Sequence, residues 1–225
     1  RLQMTHRGDI GYELQSSLLV TDREGAPICT PAQNLATDTG VLSTRTENEL
    51  EHGKHLDELT DRIDWLEQQK FAKPLVHIVD READSVAHMR RWQSEGWHWL
   101  LRVKAGSTAS YEGQSQALSK IGNRLSYTQV RRVEYKGKPA TQWVGETSIV
   151  LTRKAQPFLK DRSERSTLHK SGEPLPARLI VSRILGPDGG LLAEWYLLSN
   201  LDQTVAGEQL ALWYYWRWRI ESYFK

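Results

Sequence analysis

Tyr214, Arg217, Trp218, Glu221 and Lys225 follow one another at helical intervals near the end of the chain. At about 100° per residue they share one face of an α-helix roughly 100° wide. Trp213, Ile220 and Phe224 form an apolar seam beside it. A helix needs only the seam to fold, so the polar and aromatic face is surplus to folding. Its chemistry suits phosphodiesters. A carboxylate can hold a divalent cation while an arginine and a phenol grip phosphate. An indole can stack on an exposed base, worth about 1–3 kcal/mol. The blander reading is a core helix with snorkelling arginines and an Arg217–Glu221 pair at i, i+4. Choosing between them requires a second carboxylate.

Asp80 is the candidate. It ends the apolar run "KPLVHIVD" (73–80), which reads as a buried strand. The following "READSVAHMRRWQSEG" reads as a helix with acids in its first turn and Gly96 at its end. "WHWLLRVKAG" (97–106) is a further strand, and strand, helix, strand over so short a span implies a parallel crossover. Functional groups gather at the carboxyl ends of strands in such sheets, where Asp80 lies. Capping the next helix is the alternative role for Asp80.

Other elements surround these. Residues 10–21 and 28–37 read as two strands of an antiparallel hairpin, with Gly25 supplying a positive φ in the turn "DREGAP". "HLDELTDRIDWLEQQK" has Leu56, Leu59, Ile63 and Leu66 on one stripe, an amphipathic helix with a fully charged opposite face. From about 107 to 200 the pattern is β and loop, with "PDGG" turning between the last two strands. A final helix begins near Thr204 and is expected to run unbroken to the end.

The 225 residues suit one large domain or a domain with an insertion, and 39% hydrophobic content suits an ordinary core. No run of 18 apolar residues and no signal-peptide pattern occurs. A net charge of +2 decides nothing about nucleic acid. Residues 153–183, however, are rich in Arg and Lys and poor in acids; a solvated loop is the favoured reading and a phosphate-tracking patch the alternative. The single Cys29 forbids an internal disulfide and suits a reducing cytoplasm. His52 and His55 have a ligand-like gap, but nothing completes a zinc site.

This order resembles a ribonuclease-H-like α/β fold: a mixed sheet flanked by helices, with a β-rich insertion between the second Asp and the Glu, and a first strand upstream of residue 1. The expected division is 1–106 for the first part of the core, 107–200 for the insertion and 201–225 for the terminal core helix.

Two motifs make the resemblance specific. "DREAD" after an apolar strand, with Y-x2-R-x3-E on a terminal helix (Tyr214, Arg217, Glu221), resembles the bacterial DDE transposases of the insertion-sequence-four family, the cut-and-paste type with the YREK signature. "RWRIE", "WLLRVK" and "EWYLLSNL" also resemble that family's wording. The resemblance implies an endonuclease and strand-transferase with a two-metal centre of Mg²⁺, or Mn²⁺ as substitute, held by three carboxylates. It assigns Asp80 and Glu221 to catalysis and metal binding. Tyr214, Arg217, Arg102, Lys104, Trp218 and Lys225 are assigned to DNA, and Trp218, Trp143 or Trp195 to a displaced base. It further implies double-stranded DNA at transposon ends and target, a homodimer on DNA, and a place in the bacterial cytoplasm at the nucleoid.

Two departures accompany it. The family's first aspartate belongs on the strand expected upstream, for which Asp9 in a turn-like "RGD" is no convincing substitute. The signature lysine falls at position 228, and Lys225 matches only an additional basic place. The chain therefore reads as a catalytic-domain fragment, inactive for want of the first Asp. A non-transposing ribonuclease-H-fold nuclease and a remnant that only binds DNA are the competing readings.

Overall fold

A computed structural model describes residues 2–3, 10–158 and 168–224, without the side chains of Leu2, Gln3, Ile10, Arg219 and Ser222. Lys225 and Asp9, both named above, lie outside the described residues. The chain divides into two units, Arg1–Lys73 with Trp216–Lys225, and Pro74–Tyr215.

The first unit begins with the short antiparallel pair β1 (Leu2–Gln3) and β2 (Ile10–Gly11). The hairpin expected from the alternation follows as β3 (Glu13–Val20) and β4 (Pro27–Ala36), extended by β5 (Val41–Ser43). Gly25 turns the hairpin at φ +60, and a Cβ there would stand 2.3 Å from the Trp216 ring. Helix α1 (His55–Gln68) buries Leu59, Ile63 and Leu66 as its stripe requires. Its opposite face is not all solvated, contrary to expectation. Arg62 is buried, 3.4 Å from Glu58, and Glu58 also accepts from Arg45 at 2.8 Å and from Asn34. Pairing offsets the desolvation that a buried charge would otherwise cost.

The second unit is built on β6 (Val76–Val79), a 3-10 turn (Arg81–Ala83), α2 (Val86–Ser94) and β7 (His98–Val103). Strands β6 and β7 are parallel, as the crossover pattern predicts. The helix between them starts later than its sequence indicates. Asp80, Glu82 and Asp84 fall in the 3-10 link, and α2 has no acid in its first turn. Asp84 leaves helical geometry at ψ 67, with its carboxylate bonded away from the helix.

Next come β8 (Thr108–Tyr111), β9 (Gln114–Ala117), α3 (Leu118–Gly122), β10 (Thr128–Tyr135), β11 (Lys138–Leu151), β12 (Leu175–Leu185) and β13 (Leu191–Ser199). The sheet order is β6-β7-β13-β12-β11-β8-β9, with β10 also paired to β11. Strand β13 thus bonds directly to β7, antiparallel, and carries the later strands onto the same mixed sheet. Helix α4 (Gly207–Trp216) packs Leu210, Ala211 and Tyr214 into a core with Leu100, Ile180, Ile184, Trp195 and Leu197. Burying an apolar side chain of this size is worth about 1.5–3 kcal/mol, so this packing, not propensity, fixes the helix.

The terminal helix is not one cylinder. It turns at Arg217 and Trp218 and resumes as α5 (Arg219–Tyr223), which belongs to the first unit. Ile220 and Glu221 donate three residues back, to Arg217 and Trp218 carbonyls at 3.2 and 3.1 Å. That tighter bonding replaces the four-residue spacing on which a single helical face depends.

Candidate active site

The parallel register of β6 and β7 pairs Val79 with Leu101, so Asp80 emerges beside Arg102. Asp80 Oδ1 accepts the Arg81 N–H at 2.7 Å, which makes it the cap of the 3-10 turn. The Tyr214 hydroxyl donates to the same oxygen at 3.0 Å, and an Arg102 guanidinium nitrogen lies 3.6 Å from it. The Asp80 and Arg102 side chains remain 32% and 28% exposed. Three elements distant in sequence thus converge on one strand-end carboxylate. The capping role expected as the alternative is therefore filled, at the N-terminus of the 3-10 turn.

Tyr214 is fully buried, its ring 5.8 Å from that of Trp195 in a tilted, edge-on contact. Its hydroxyl serves Asp80, which corrects the expectation that it grips DNA: a phenol sealed in the core has no face for phosphate. Trp195 is likewise buried against Tyr135, Tyr214 and Tyr215, which corrects its assignment to a displaced base. Trp143 is half-buried and donates its indole N–H to Thr141 at 3.1 Å.

A second carboxylate network stands behind Asp80. Asp84 accepts the Lys104 N–H at 3.1 Å, the Ser107 hydroxyl at 2.7 Å and an Arg153 nitrogen at 2.8 Å. Burial opposes its ionisation, but Arg153 and the two other donors prevail and hold its carboxyl below the usual range. Lys104 keeps its side chain exposed while its backbone is pinned. Arg153 and Ser107 carry no sequence signal for this role, because nothing in local spacing links them to residue 84.

In the first unit, Arg217 lies with its guanidinium carbon 4.7 Å from the Trp218 ring centre, and Trp218 is 41% exposed. Glu221 is exposed on α5. Carboxylate oxygens such as those of Asp80 and Glu221 are the ligand type that hard divalent cations take. Among the described residues no group of three or more His, Cys, Asp or Glu forms a metal cluster.

Residues 38–225 match the family described as the transposase DDE domain, and the chain belongs to that family. It is a domain of the transposase and nuclease kind, a class that acts on DNA and generally uses divalent metals. No curated protein matches the chain. No described helix is long and apolar enough to cross a membrane.

Proposed function

We propose that this chain is the catalytic domain of a cut-and-paste transposase of the insertion-sequence-four type, with a ribonuclease-H-like core. Its Asp80 and Glu221 are two of the carboxylates that cleave transposon ends and join 3′ ends to target DNA. The observation that carries the reading is the convergence on Asp80. A strand-end carboxylate in this family's domain is oriented by Tyr214, 134 residues away, and flanked by Arg102.

Tyr214 and Arg81 fix the carboxylate through Oδ1, so its geometry is set before any ligand arrives. Arg102, partly exposed beside it, is placed to take a backbone phosphate, which positions DNA without reading sequence. Lys104, Arg217 and Trp218 offer further phosphate and base contacts from exposed or half-exposed positions. Divalent ions held by Asp80 and Glu221 would activate the attacking oxygen and stabilise the leaving one. We further propose a homodimer as the DNA-bound form.

The test is Mg²⁺-dependent cleavage and strand transfer by the full-length protein on its own transposon ends. Asp80→Asn and Glu221→Gln are each expected to lower cleavage about 10³-fold or more while leaving DNA binding in place. Wild-type cleavage by Asp80→Asn would overturn the assignment. Cleavage without transfer to target DNA would make the protein a nuclease that does not transpose.

A further inference from the structure

A cavity of about 340 Å³ lies between α2 and two segments of the basic run, at Ala155, Pro157 and Phe158 and at Lys170, Ser171 and Gly172. It is far larger than the roughly 10–15 Å³ that a single water requires. Arg90, Arg91, Lys170 and Ser171 line it with Glu95, and Phe158 forms an apolar wall. The cations exceed the carboxylate there.

The walls are preformed. Ala155 and Lys170 exchange both backbone bonds, at 3.0 and 2.8 Å. Arg90 donates to the carbonyls of Glu173 at 2.8 Å and Arg153 at 3.2 Å, and the Glu173 carboxylate offsets part of its charge. Gly172 approaches so closely that a Cβ would meet the Arg90 guanidinium at 2.7 Å. Burial, and then the charge of Arg153, pull Arg90 below the usual arginine range, as expected where cations crowd.

Arg91 is the informative member. Its guanidinium carbon lies 5.2 Å from the Phe158 ring centre, and Phe158 is held edge-on by the buried His88 at 5.1 Å. Its Nε is buried with no hydrogen-bond partner. Arg91 lines the cavity beside Lys170 with its guanidinium oriented over Phe158, and a guanidinium held in place next to a second cation is arranged to receive an anion.

We propose that this cavity holds a backbone phosphate of bound DNA, away from the Asp80 corner, with Arg91 as the principal donor. The proposal rests on the transposase reading. The mixed lining favours a sugar-phosphate over a bare ion: Phe158, Pro157 and Ala155 offer carbon surface to the sugar, while Arg91 and Lys170 meet the charge. Lys170 of the basic run thereby acquires a specific role beside Arg91.

The experiment measures the affinity of the full-length protein for transposon-end DNA against salt, by fluorescence anisotropy. Arg91→Gln is expected to lower the slope of log K against log salt by about 0.9, and to weaken binding about fourfold at 0.2 M. Arg91→Lys should keep most of the slope, and Gly172→Ala, which displaces Arg90, should reproduce part of the loss. Cleavage at saturating DNA should be unchanged in all three. An unchanged slope in Arg91→Gln, with binding and cleavage intact, overturns this proposal alone. Failure of the wild type to bind DNA overturns it together with the transposase reading. The Arg91 side-chain N–H resonance is also followed with inorganic phosphate. A phosphate-induced shift alongside an unchanged DNA slope makes the cavity a small-anion site and likewise overturns the proposal. Gln keeps the stem of the side chain, and circular dichroism on each variant checks that it folds.

Discussion

At the scale of single residues, Tyr214 and Asp84 do work that their neighbours in sequence do not announce. Tyr214→Phe removes one hydrogen bond to Asp80 and leaves the ring in its core site. The expected stability loss is about 1 kcal/mol. The expected loss of DNA cleavage is larger, about 10–100-fold, because in the proposed function Tyr214 orients a carboxylate that acts on every turnover. Comparing melting temperature with cleavage rate separates the two. Asp84 predicts a pH dependence. Its folded carboxyl sits below the ordinary range, so its stabilisation is present above the unfolded value near 3.9 and is lost as pH falls through the lower folded value. Chemical denaturation from pH 6 down to pH 2 should show this loss, and Asp84→Asn should flatten that part of the profile. Asp80 and Glu221 were legible as candidates because a strand-end acid and a helical signature are local patterns. The partnership of Asp84 with Arg153 was not, since it joins residues 69 apart in sequence that follow strands not adjacent in the sheet.

At the scale of elements, short-range patterns carried over well. The β3–β4 hairpin, its positive-φ Gly25, the α1 stripe and the parallel β6–β7 pair follow from alternation, turn chemistry and the crossover rule. The turn after Trp216 did not, and neither did the start of α2, where the bonds of Asp84 to Lys104, Ser107 and Arg153 override propensity. The start of α4 shows the same override in a form that can be tested. Arg178 donates to the carbonyls of Asp202 at 2.6 Å and Val205 at 2.7 Å and pairs with Glu146. It thereby gathers the loop from which α4 begins. Arg178→Ala orphans these groups and should cost about 3 kcal/mol in chemical denaturation. Because α4 carries Tyr214, cleavage should fall as well. Gly25→Ala should also destabilise, by about 1–3 kcal/mol, since its backbone lies at positive φ and its Cβ would strike Trp216. A variant as stable as the wild type would show that the turn and the indole adjust freely.

For the whole molecule, net charge and composition say little, and the arrangement of strands says more. The β character of residues 107–200 was legible, but the order of the strands was not. Residues 191–199 join 98–103, across a long stretch of chain, and nothing in either segment encodes that partner. Function has the same long-range character in the proposed reading, because Asp80 and Glu221 belong to different units of the fold and are assigned to a single chemical step. That assignment makes a quantitative demand on the full-length protein. Residues that serve one reaction as a set lose nearly all of its benefit when either is removed, so their effects do not multiply. Asp80→Asn, Glu221→Gln and the double variant should therefore cleave at similar residual rates, each about 10³-fold or more below the wild type. A double variant whose loss equals the product of the single losses would mean that the two carboxylates act independently. Glu221 would then be a surface acid, and Asp80 alone would remain as the candidate.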